Sequence, residues 1–431
     1  MVTNQTSDLK ELLAKDEKYL SGALYRVFHI VAERGEGPYI YSTDGTRYLD
    51  LTCGIGVTQL GHCHPEVVKA AQDQLAKLDH ISCITHHTEN IKLAEKLAKI
   101  LPGDLNNTFF CNSGAEAVDG AVKLSRYINP GRPNMVAFRG SFHGRTLGGT
   151  ALSSSKALHR KYYDPILSGI NFVDFPNCWN CPVFKDPKSC KLECLDLLTR
   201  MFKLNLPPES ISAIIIEPIV GEGGYVPAPS HSLNPRFNYL KELRKICDEY
   251  KIVLISDEVQ SGIGRTGRWF GIENYSVVPD IITFAKGIAN GLPMGGFSAR
   301  KNHMSLMPPG SHGSTFGGNP TVCAAANKTL EIIERDDLLN CVSRTGTELM
   351  THLEKELKSI ATVRGFGFMI GIEFKSKEIT EKIIDECFKE KMLLLTAGAD
   401  QKVIRFIPPL NIDKSLLFNG AGKMIGIIKK I

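Results

Sequence analysis

The chain has 431 residues, of which 43% are hydrophobic and 23% are charged. These proportions are typical of a globular protein, and the length exceeds one ordinary hydrophobic core, so we expect one large and one smaller domain. The 51 basic and 46 acidic side chains are spread along the sequence without a basic block, which disfavours nucleic acid and a membrane surface as partners. The sequence has neither an apolar signal segment at its start nor an apolar run long enough to span a bilayer, so we expect a cytoplasmic protein.

The N-terminal part combines helical and strand patterns. Residues 8–20 have the spacing of a short amphipathic helix, and residues 39–51 read as two strands around the turn Asp44-Gly45. Further helical spacing of apolar residues follows, and it predicts helices over residues 64–77, 89–100 and 113–127.

Strands then alternate with helices. The predicted strands cover residues 135–138, 170–173, 211–216, 252–256 and 281–284. This alternation predicts an α/β fold, with a mainly parallel sheet flanked by helices in the large domain. After about Thr329 the pattern changes to a long helix, a strand-rich stretch at 363–374, another helix, and strands at 393–395 and 403–407. We therefore assign residues 61–329 to the large domain, and residues 1–60 and 330–431 to a small α+β domain.

A single lysine stands at the end of one buried strand. Lys286 follows the apolar run 281–285 and precedes a glycine-rich turn. An ammonium in that place is poorly solvated and its pKa is lowered, which suits an amine that forms a Schiff base with an aldehyde. Taken alone, Lys286 is more readily interpreted as an ordinary solvated lysine at a strand end.

Other strand ends carry polar residues of unusual chemistry, and in open α/β sheets these ends form the ligand site. Asp257 follows the strand at 252–256, where its carboxylate is able to keep a pyridinium nitrogen protonated, and Gln260 is close behind it. The sequence Ser113-Gly114-Ala115 follows a strand at 107–111 and opens a helix, which is a phosphate site by its free amides. The strand at 135–138 leads to the following group, which offers an aromatic face and a guanidinium: Phe142, His143 and Arg145.

These residues closely resemble the class III pyridoxal-phosphate aminotransferases of fold type I, in a likeness that covers residues 35–409. The motifs that carry it are Asp257-Glu-Val-Gln-Ser-Gly, Phe284-Ala-Lys-Gly and Gly313-Ser-Thr-Phe-Gly-Gly-Asn-Pro320. The resemblance implies that Lys286 is the Schiff-base lysine and proton shuttle and that Asp257 is the pyridinium partner. It implies the following further contacts to pyridoxal 5′-phosphate: Gln260 to the ring oxygen, Phe142 stacked on the ring, His143 beside it, Ser113, Gly114 and Ala115 to the phosphate, and Thr315 to the phosphate of the neighbouring subunit. A homodimer or a dimer of dimers follows.

The resemblance also bears on the substrate. The 4-aminobutyrate aminotransferases of this family match at Ile55, Arg145, Glu222 and Arg405, which implies ping-pong transfer of an ω-amino group to 2-oxoglutarate through pyridoxal and pyridoxamine phosphate. Ornithine and acetylornithine aminotransferases share Arg145 and Arg405 and remain alternatives. Related amino-acid racemases are similar too, but they tend to carry aspartate where Glu222 stands.

Two patterns point elsewhere. Residues 262–267 match the dinucleotide fingerprint G-x-G-x-x-G, but the match begins six residues after its strand and is not followed by a helix pattern, so we reject it. Four cysteines lie close together in the sequence, at a spacing that allows a zinc site, disulfides or free thiols: Cys178, Cys181, Cys190 and Cys194. We assign no metal from sequence.

A non-catalytic cofactor-binding regulator is also disfavoured, because no spare segment supplies a helix-turn-helix and Lys286 is intact.

Overall fold

The structure is a computed structural model that describes residues 2–186, 189–230 and 238–431. Its helices are α1 Val2–Tyr19, α2 Cys53–Gly56, α3 Pro65–Leu75, α4 Thr88–Ile100, α5 Gly114–Ile128, α6 Leu147–Leu152, α7 Leu195–Leu204, α8 Tyr239–Tyr250, α9 Lys301–Met304, α10 Pro320–Arg335, α11 Leu338–Leu357, α12 Lys377–Lys389 and α13 Lys414–Ile428.

Its strands are β1 Ala32–Glu36, β2 Tyr39–Ser42, β3 Arg47–Asp50, β4 Asn107–Cys111, β5 Asn134–Arg139, β6 Ile170–Asp174, β7 Ile211–Ile216, β8 Ile219–Val220, β9 Val226–Pro227, β10 Val253–Asp257, β11 Ile281–Phe284, β12 Gly295–Ala299, β13 Thr362–Phe366, β14 Met369–Glu373, β15 Met392–Leu393, β16 Leu395–Ala397 and β17 Val403–Phe406. In the part of the chain that the structure describes, no helix combines the length and the apolar character needed to cross a lipid bilayer.

The largest sheet has seven strands in the order β4-β12-β11-β10-β7-β5-β6. All neighbours from β11 to β6 are parallel, and β12 runs antiparallel to both β11 and β4. This arrangement confirms the predicted α/β fold with a mainly parallel sheet.

Both faces of this sheet are covered, in agreement with the largely apolar sequence of β7, in which Ser212 is the one polar residue. Every residue of β7 is buried. Ile214 and Ile216 belong to one apolar cluster, whereas Ala213 and Ile215 belong to a second cluster on the opposite face, together with residues of α5. Alternate side chains of one strand therefore fill two different layers of core, which is the usual state of a parallel strand between two layers of helices.

The N-terminal hairpin and the C-terminal tail meet in a smaller sheet of order β1-β2-β3-β15, where β15 pairs parallel with β3. A further four-stranded sheet, β13-β14-β17-β16, carries the rest of the tail. The stretch predicted as strand at 363–374 is a hairpin of β13 and β14. Gly367 reverses the chain with a φ of 54°, a left-handed value that glycine adopts without strain. Helix α10 begins before the change of pattern at Thr329. The division into domains stays a prediction.

One glycine shows how closely α5 packs on the sheet. A methyl group at Gly120 would lie 2.3 Å from Cε1 of Phe297, which is fully buried on β12. Gly422 in α13 offers the contrast, since a methyl group there would meet no atom within 4 Å.

We expect Gly120→Ala to destabilise the protein and Gly422→Ala to leave it unchanged or slightly more stable. Overpacking a core lowers the free energy of unfolding by about 1–3 kcal/mol, whereas replacing an exposed helical glycine by alanine raises it by about 1 kcal/mol. Denaturant midpoints of the two variants, compared with the parent, measure the difference. Equal stabilisation by both substitutions would contradict the close packing of α5 against Phe297.

Candidate active site

A cavity of about 630 Å³ opens at the carboxyl ends of the parallel strands. Its size is that of a small-molecule or cofactor site. It is lined by nine of the residues that the sequence predicted: Ser113, Gly114, Ala115, Phe142, His143, Arg145, Asp257, Gln260 and Lys286. The other four predicted residues, Ile55, Glu222, Thr315 and Arg405, lie outside this lining.

Lys286 enters the cavity from the turn after β11. It begins a short 3-10 turn, Lys286–Ala289, with a φ of 46°, a left-handed value that is uncommon outside glycine. Burial lowers the pKa of the Lys286 ammonium below its ordinary value, against the opposing effect of the carboxylates of Glu222 and Glu217. A lysine in this environment deprotonates more readily than one in water, as a nucleophilic amine requires.

Asp257, the last residue of β10, is fixed by three hydrogen bonds. Its Oδ2 lies 2.6 Å from Nδ1 of His143, and its Oδ1 accepts from the Val259 amide and from the Thr283 hydroxyl, each at 3.1 Å. Both Asp257 and His143 are buried. A carboxylate held in this way has a fixed position, so it is able to face one nitrogen of a bound ring with little loss of conformational freedom.

The start of α5 forms the other end of the cavity. Ser113 caps the helix by accepting from the Glu116 amide at 3.2 Å, and the amides of Gly114 and Ala115 belong to the first turn, which has no intrahelical acceptors. Gly295 is needed beside this turn, since a methyl group there would lie 2.4 Å from the Ser113 carbonyl oxygen. A helix start of this kind binds phosphate through its free amides and its dipole.

Two atoms in the cavity support a polar occupant. His143 Nε2 and Gln260 Oε1 are buried and have no hydrogen-bond partner within the described chain. Buried polar atoms normally have a partner, so these two call for polar groups in the cavity. Together with Lys286, Asp257 and the start of α5, they fit a cofactor with an aldehyde, a ring nitrogen and a phosphate.

A buried ion pair lies beside this cavity. Arg405 on β17 donates from Nη1 to Glu222 Oε1 at 2.5 Å and from Nε to the Thr396 carbonyl at 2.8 Å. Burial works to raise the pKa of Glu222, but the positive charges of Arg405 and Lys286 outweigh it, and the pKa lies below its ordinary value. Glu222 is therefore ionised at neutral pH and neutralises a guanidinium that is only 6% exposed.

The sequence did not single out one residue of the cavity lining and two residues near it: Glu217, and Lys156 and His159. Glu217 follows β7, accepts from the amides of Phe142 and Gly221 at 2.9 Å, and has a pKa raised by burial to about 7. The rule of strand ends applies to Glu217 as well and would have found it. Lys156 and His159 lie in the segment after α6; burial lowers the pKa of both, and the charges of Glu222 and Arg145 also act on them. No sequence motif marks these two.

The remaining predicted residues are more exposed. Arg145 lies over the Phe142 ring, with 5.3 Å between its guanidinium carbon and the ring centroid. Ile55 has a φ of 69°, which is strained for a β-branched residue, and it is 41% exposed. Thr315 is exposed in the segment before α10.

Comparisons with known proteins point to one family. The family model described as Aminotransferase class-III matches residues 21–428. An alanine/serine racemase from Pyrococcus horikoshii is 36% identical, covering 98% of this chain and 90% of the relative. An acetylornithine aminotransferase from Archaeoglobus fulgidus is 36% identical over 89% of this chain and 92% of the relative. A 5-aminovalerate aminotransferase from Pseudomonas aeruginosa is 35% identical, with 95% and 96% covered.

The fold agrees with this match. The crystal structure of a Bacillus anthracis aminotransferase aligns with a TM-score of 0.90 at 30% identity, covering 99% of this chain and 100% of that chain. Because the family model and the relatives extend over almost the whole sequence, the chain belongs to the class III aminotransferases, which are enzymes of fold type I that depend on pyridoxal 5′-phosphate.

Proposed function

We propose that this aminotransferase moves the amino group of an ω-amino acid, specifically 4-aminobutyrate, to 2-oxoglutarate in a ping-pong reaction. The observation that carries the proposal is the ion pair of 2.5 Å between Glu222 and Arg405. An ω-amino donor has one carboxylate, far from its amine, whereas 2-oxoglutarate has two. A pocket that serves both needs a second cation that is neutralised when the donor binds and free when the acceptor binds.

Residues around the cavity are proposed to hold the cofactor, which supplies an aldehyde that accepts the amino group and a ring that withdraws electrons from the reacting carbon. Asp257, oriented by His143, would keep the ring nitrogen protonated. Gln260 would hold the ring oxygen, and Phe142 would offer its aromatic face to the ring. The side chain of Ser113 and the amides of Gly114 and Ala115 would hold the phosphate at the start of α5.

Lys286 has two proposed tasks. Its amine holds the cofactor aldehyde covalently when no substrate is bound, and it removes and returns the proton at the amine-bearing carbon of the substrate. The lowered pKa of Lys286 supports both tasks, because each needs the neutral amine for part of the cycle.

Cations on the Arg145 side of the cavity are proposed to bind the carboxylate that is remote from the reacting carbon. Arg145 lines the cavity, and Lys156 lies close enough for the charges of Arg145, Glu222 and Arg405 to act on its pKa. Ile55 is proposed to form the apolar wall along the carbon chain of the substrate. Both half-reactions use this carboxylate contact, since donor and acceptor each have a carboxylate at that end.

Arg405 is proposed to bind the α-carboxylate of the acceptor. While the donor occupies the site, Glu222 neutralises Arg405, because leaving one member of a buried pair alone costs about 3–5 kcal/mol. When 2-oxoglutarate enters, its α-carboxylate replaces that of Glu222, whose side chain turns away. The pair is thus a gate between a donor state and an acceptor state.

The subunit arrangement is also part of the proposal. Thr315 lies outside the cavity and is exposed, which supports a role at the phosphate of a neighbouring subunit in a homodimer or a dimer of dimers.

The alternatives differ in donor or in reaction. The acetylornithine aminotransferase relative supports an ornithine or N-acetylornithine donor, and the alanine/serine racemase relative supports racemisation. The 5-aminovalerate aminotransferase relative is named for an ω-amino acid donor with a single remote carboxylate, which favours the 4-aminobutyrate proposal among these.

We expect Lys286→Ala to bind cofactor without a covalent link and to lose nearly all turnover. The matched control is Lys301→Ala, which removes an exposed lysine beyond β12. Borohydride reduction followed by mass spectrometry should find cofactor attached to residue 286 in the parent and in the control, and none in Lys286→Ala. Transamination at the parental rate in Lys286→Ala would refute the assignment.

A panel of half-reactions tests the donor. We expect 4-aminobutyrate to change the cofactor absorbance faster than ornithine, N-acetylornithine, lysine or alanine. Incubation of a single alanine enantiomer without any 2-oxo acid should leave its optical purity unchanged. Faster reaction with N-acetylornithine would favour an acetylornithine aminotransferase instead. Loss of optical purity would favour a racemase.

The gate has its own test. Glu222→Ala should improve the half-reaction with glutamate or alanine relative to 4-aminobutyrate, because Arg405 is then free for an α-carboxylate. Arg405→Ala should slow the 2-oxoglutarate half-reaction much more than the donor half-reaction. Stopped-flow absorbance of the bound cofactor measures both halves.

Glu66→Ala is the control for the gate, since it breaks an exposed ion pair with Arg335 and such pairs contribute little. Both half-reactions should be unchanged in that variant. An unaltered donor preference in Glu222→Ala, or equal slowing of both halves in Arg405→Ala, would rule out the gate.

A further inference from the structure

Four cysteine side chains surround one small closed cavity away from the active site. Cys178, Cys181, Cys190 and Cys194 all line a cavity of about 20 Å³ between β6 and α7. The described residues of this segment form no helix or strand until α7 begins. Long irregular segments inside compact domains usually have a function or a stabilising link of their own.

Backbone amides point at two of the four sulfurs. The amide of Lys185 donates to Cys181 Sγ at 3.3 Å, and the amide of Leu192 donates to Cys190 Sγ at 3.2 Å. A thiol is a weak acceptor, whereas a thiolate is a strong one, so these bonds are strengthened when the sulfur is ionised. These two contacts are therefore compatible with metal-bound thiolate sulfurs at Cys181 and Cys190.

One cationic side chain lies among the described residues that line the same cavity. Lys185 lines the cavity but forms an ion pair with Glu193 at 3.8 Å, so its charge is already shared.

We propose that Cys178, Cys181, Cys190 and Cys194 together bind one Zn²⁺ in a closed tetrahedral site with a structural role. The cavity has about the volume of a single small sphere, and the C-x2-C and C-x3-C pairs present sulfur ligands in the spacing of structural zinc sites. Each thiol loses its proton to solvent as its sulfur bonds to the ion. Four thiolates satisfy the coordination of Zn²⁺, which leaves no open position for catalysis.

Closure of the site includes a change of side-chain rotamer. Within residues 2–186, 189–230 and 238–431, no three metal-ligating side chains already lie close enough together to hold an ion. The proposal therefore requires the four sulfurs that border this cavity to turn toward a common centre by rotation about their Cα–Cβ bonds.

The loop contacts the hairpin that carries Glu222. Trp179 stands between the first two cysteines, and the guanidinium carbon of Arg364 lies 5.6 Å from its ring centroid. Arg364 in turn donates to the Gly224 carbonyl at 2.8 Å. An ion in the loop would therefore stabilise one support of the β8–β9 hairpin while touching neither cofactor nor substrate.

Metal analysis of the holoenzyme tests the proposal. We expect about one zinc ion per chain after dialysis against a weak chelator, and replacement by Co²⁺ should give the visible absorbance of tetrahedral cobalt thiolate at wavelengths beyond the cofactor band. Cys190→Ser and Cys194→Ser should each lose that ion and lower the thermal midpoint. The control Cys63→Ser/Cys83→Ser, at two exposed cysteines elsewhere, should keep it.

Two results would overturn the proposal. Intact mass under non-reducing conditions that is lower by two hydrogens for each bond among these cysteines would assign them to disulfides. Full thiol reactivity of all four with no stoichiometric zinc or cobalt would assign them to free thiols. If the serine variants fail to fold, the parent protein distinguishes the same outcomes when its metal is removed with a chelator and replaced by cobalt.

Discussion

All the strands that supply candidate catalytic residues end at the same edge of one sheet, and this constraint organises the site. β4, β5, β7, β10 and β11 deliver the start of α5, the Phe142 segment, Glu217, Asp257 and Lys286 to a single cavity. Parallel pairing from β11 to β6 makes this convergence unavoidable, whereas β12 runs the other way. Its first residue, Gly295, contributes instead by letting the backbone approach the Ser113 turn.

Charge balance is the second constraint, because the cavity gathers ionisable groups in a place with little water. Asp257 is paired with His143, and Glu222 is paired with Arg405. Glu217 has no cationic partner in direct contact in the described chain, and its pKa of about 7 reflects burial, reduced by His143 and by two backbone amides. Lys286 makes no ion pair there, which leaves its amine available for chemistry. The proposed Schiff-base amine of Lys286 thus differs from Asp257 and Glu222, which have fixed ion-pair partners.

Strands and strand ends with a local sequence pattern could be predicted from the sequence. Residues that approach the cavity only through the tertiary fold could not. Buried strands and the residues directly after them could be predicted, because a run such as 211–216 is apolar except for Ser212 and ends abruptly at Glu217. Lys156 and His159 follow no strand, and their closeness to the charges of Glu222 and Arg145 depends on the tertiary path of the chain after α6. The Glu222 to Arg405 contact spans 183 positions, and residue matches with a known family suggested its members, whereas spacing alone does not.

The same contact bears on the proposed gate, which would be a side chain and not a moving loop. On one side of Glu222, the Gly221 amide is held by Glu217 at 2.9 Å; on the other, the Gly224 carbonyl is held by Arg364 at 2.8 Å. The carbonyl of Glu222 itself accepts from the Gly398 amide at 2.8 Å. With the backbone held at three points, rotation of the Glu222 carboxylate would be the motion by which the proposed gate frees Arg405 for a substrate carboxylate at small conformational cost.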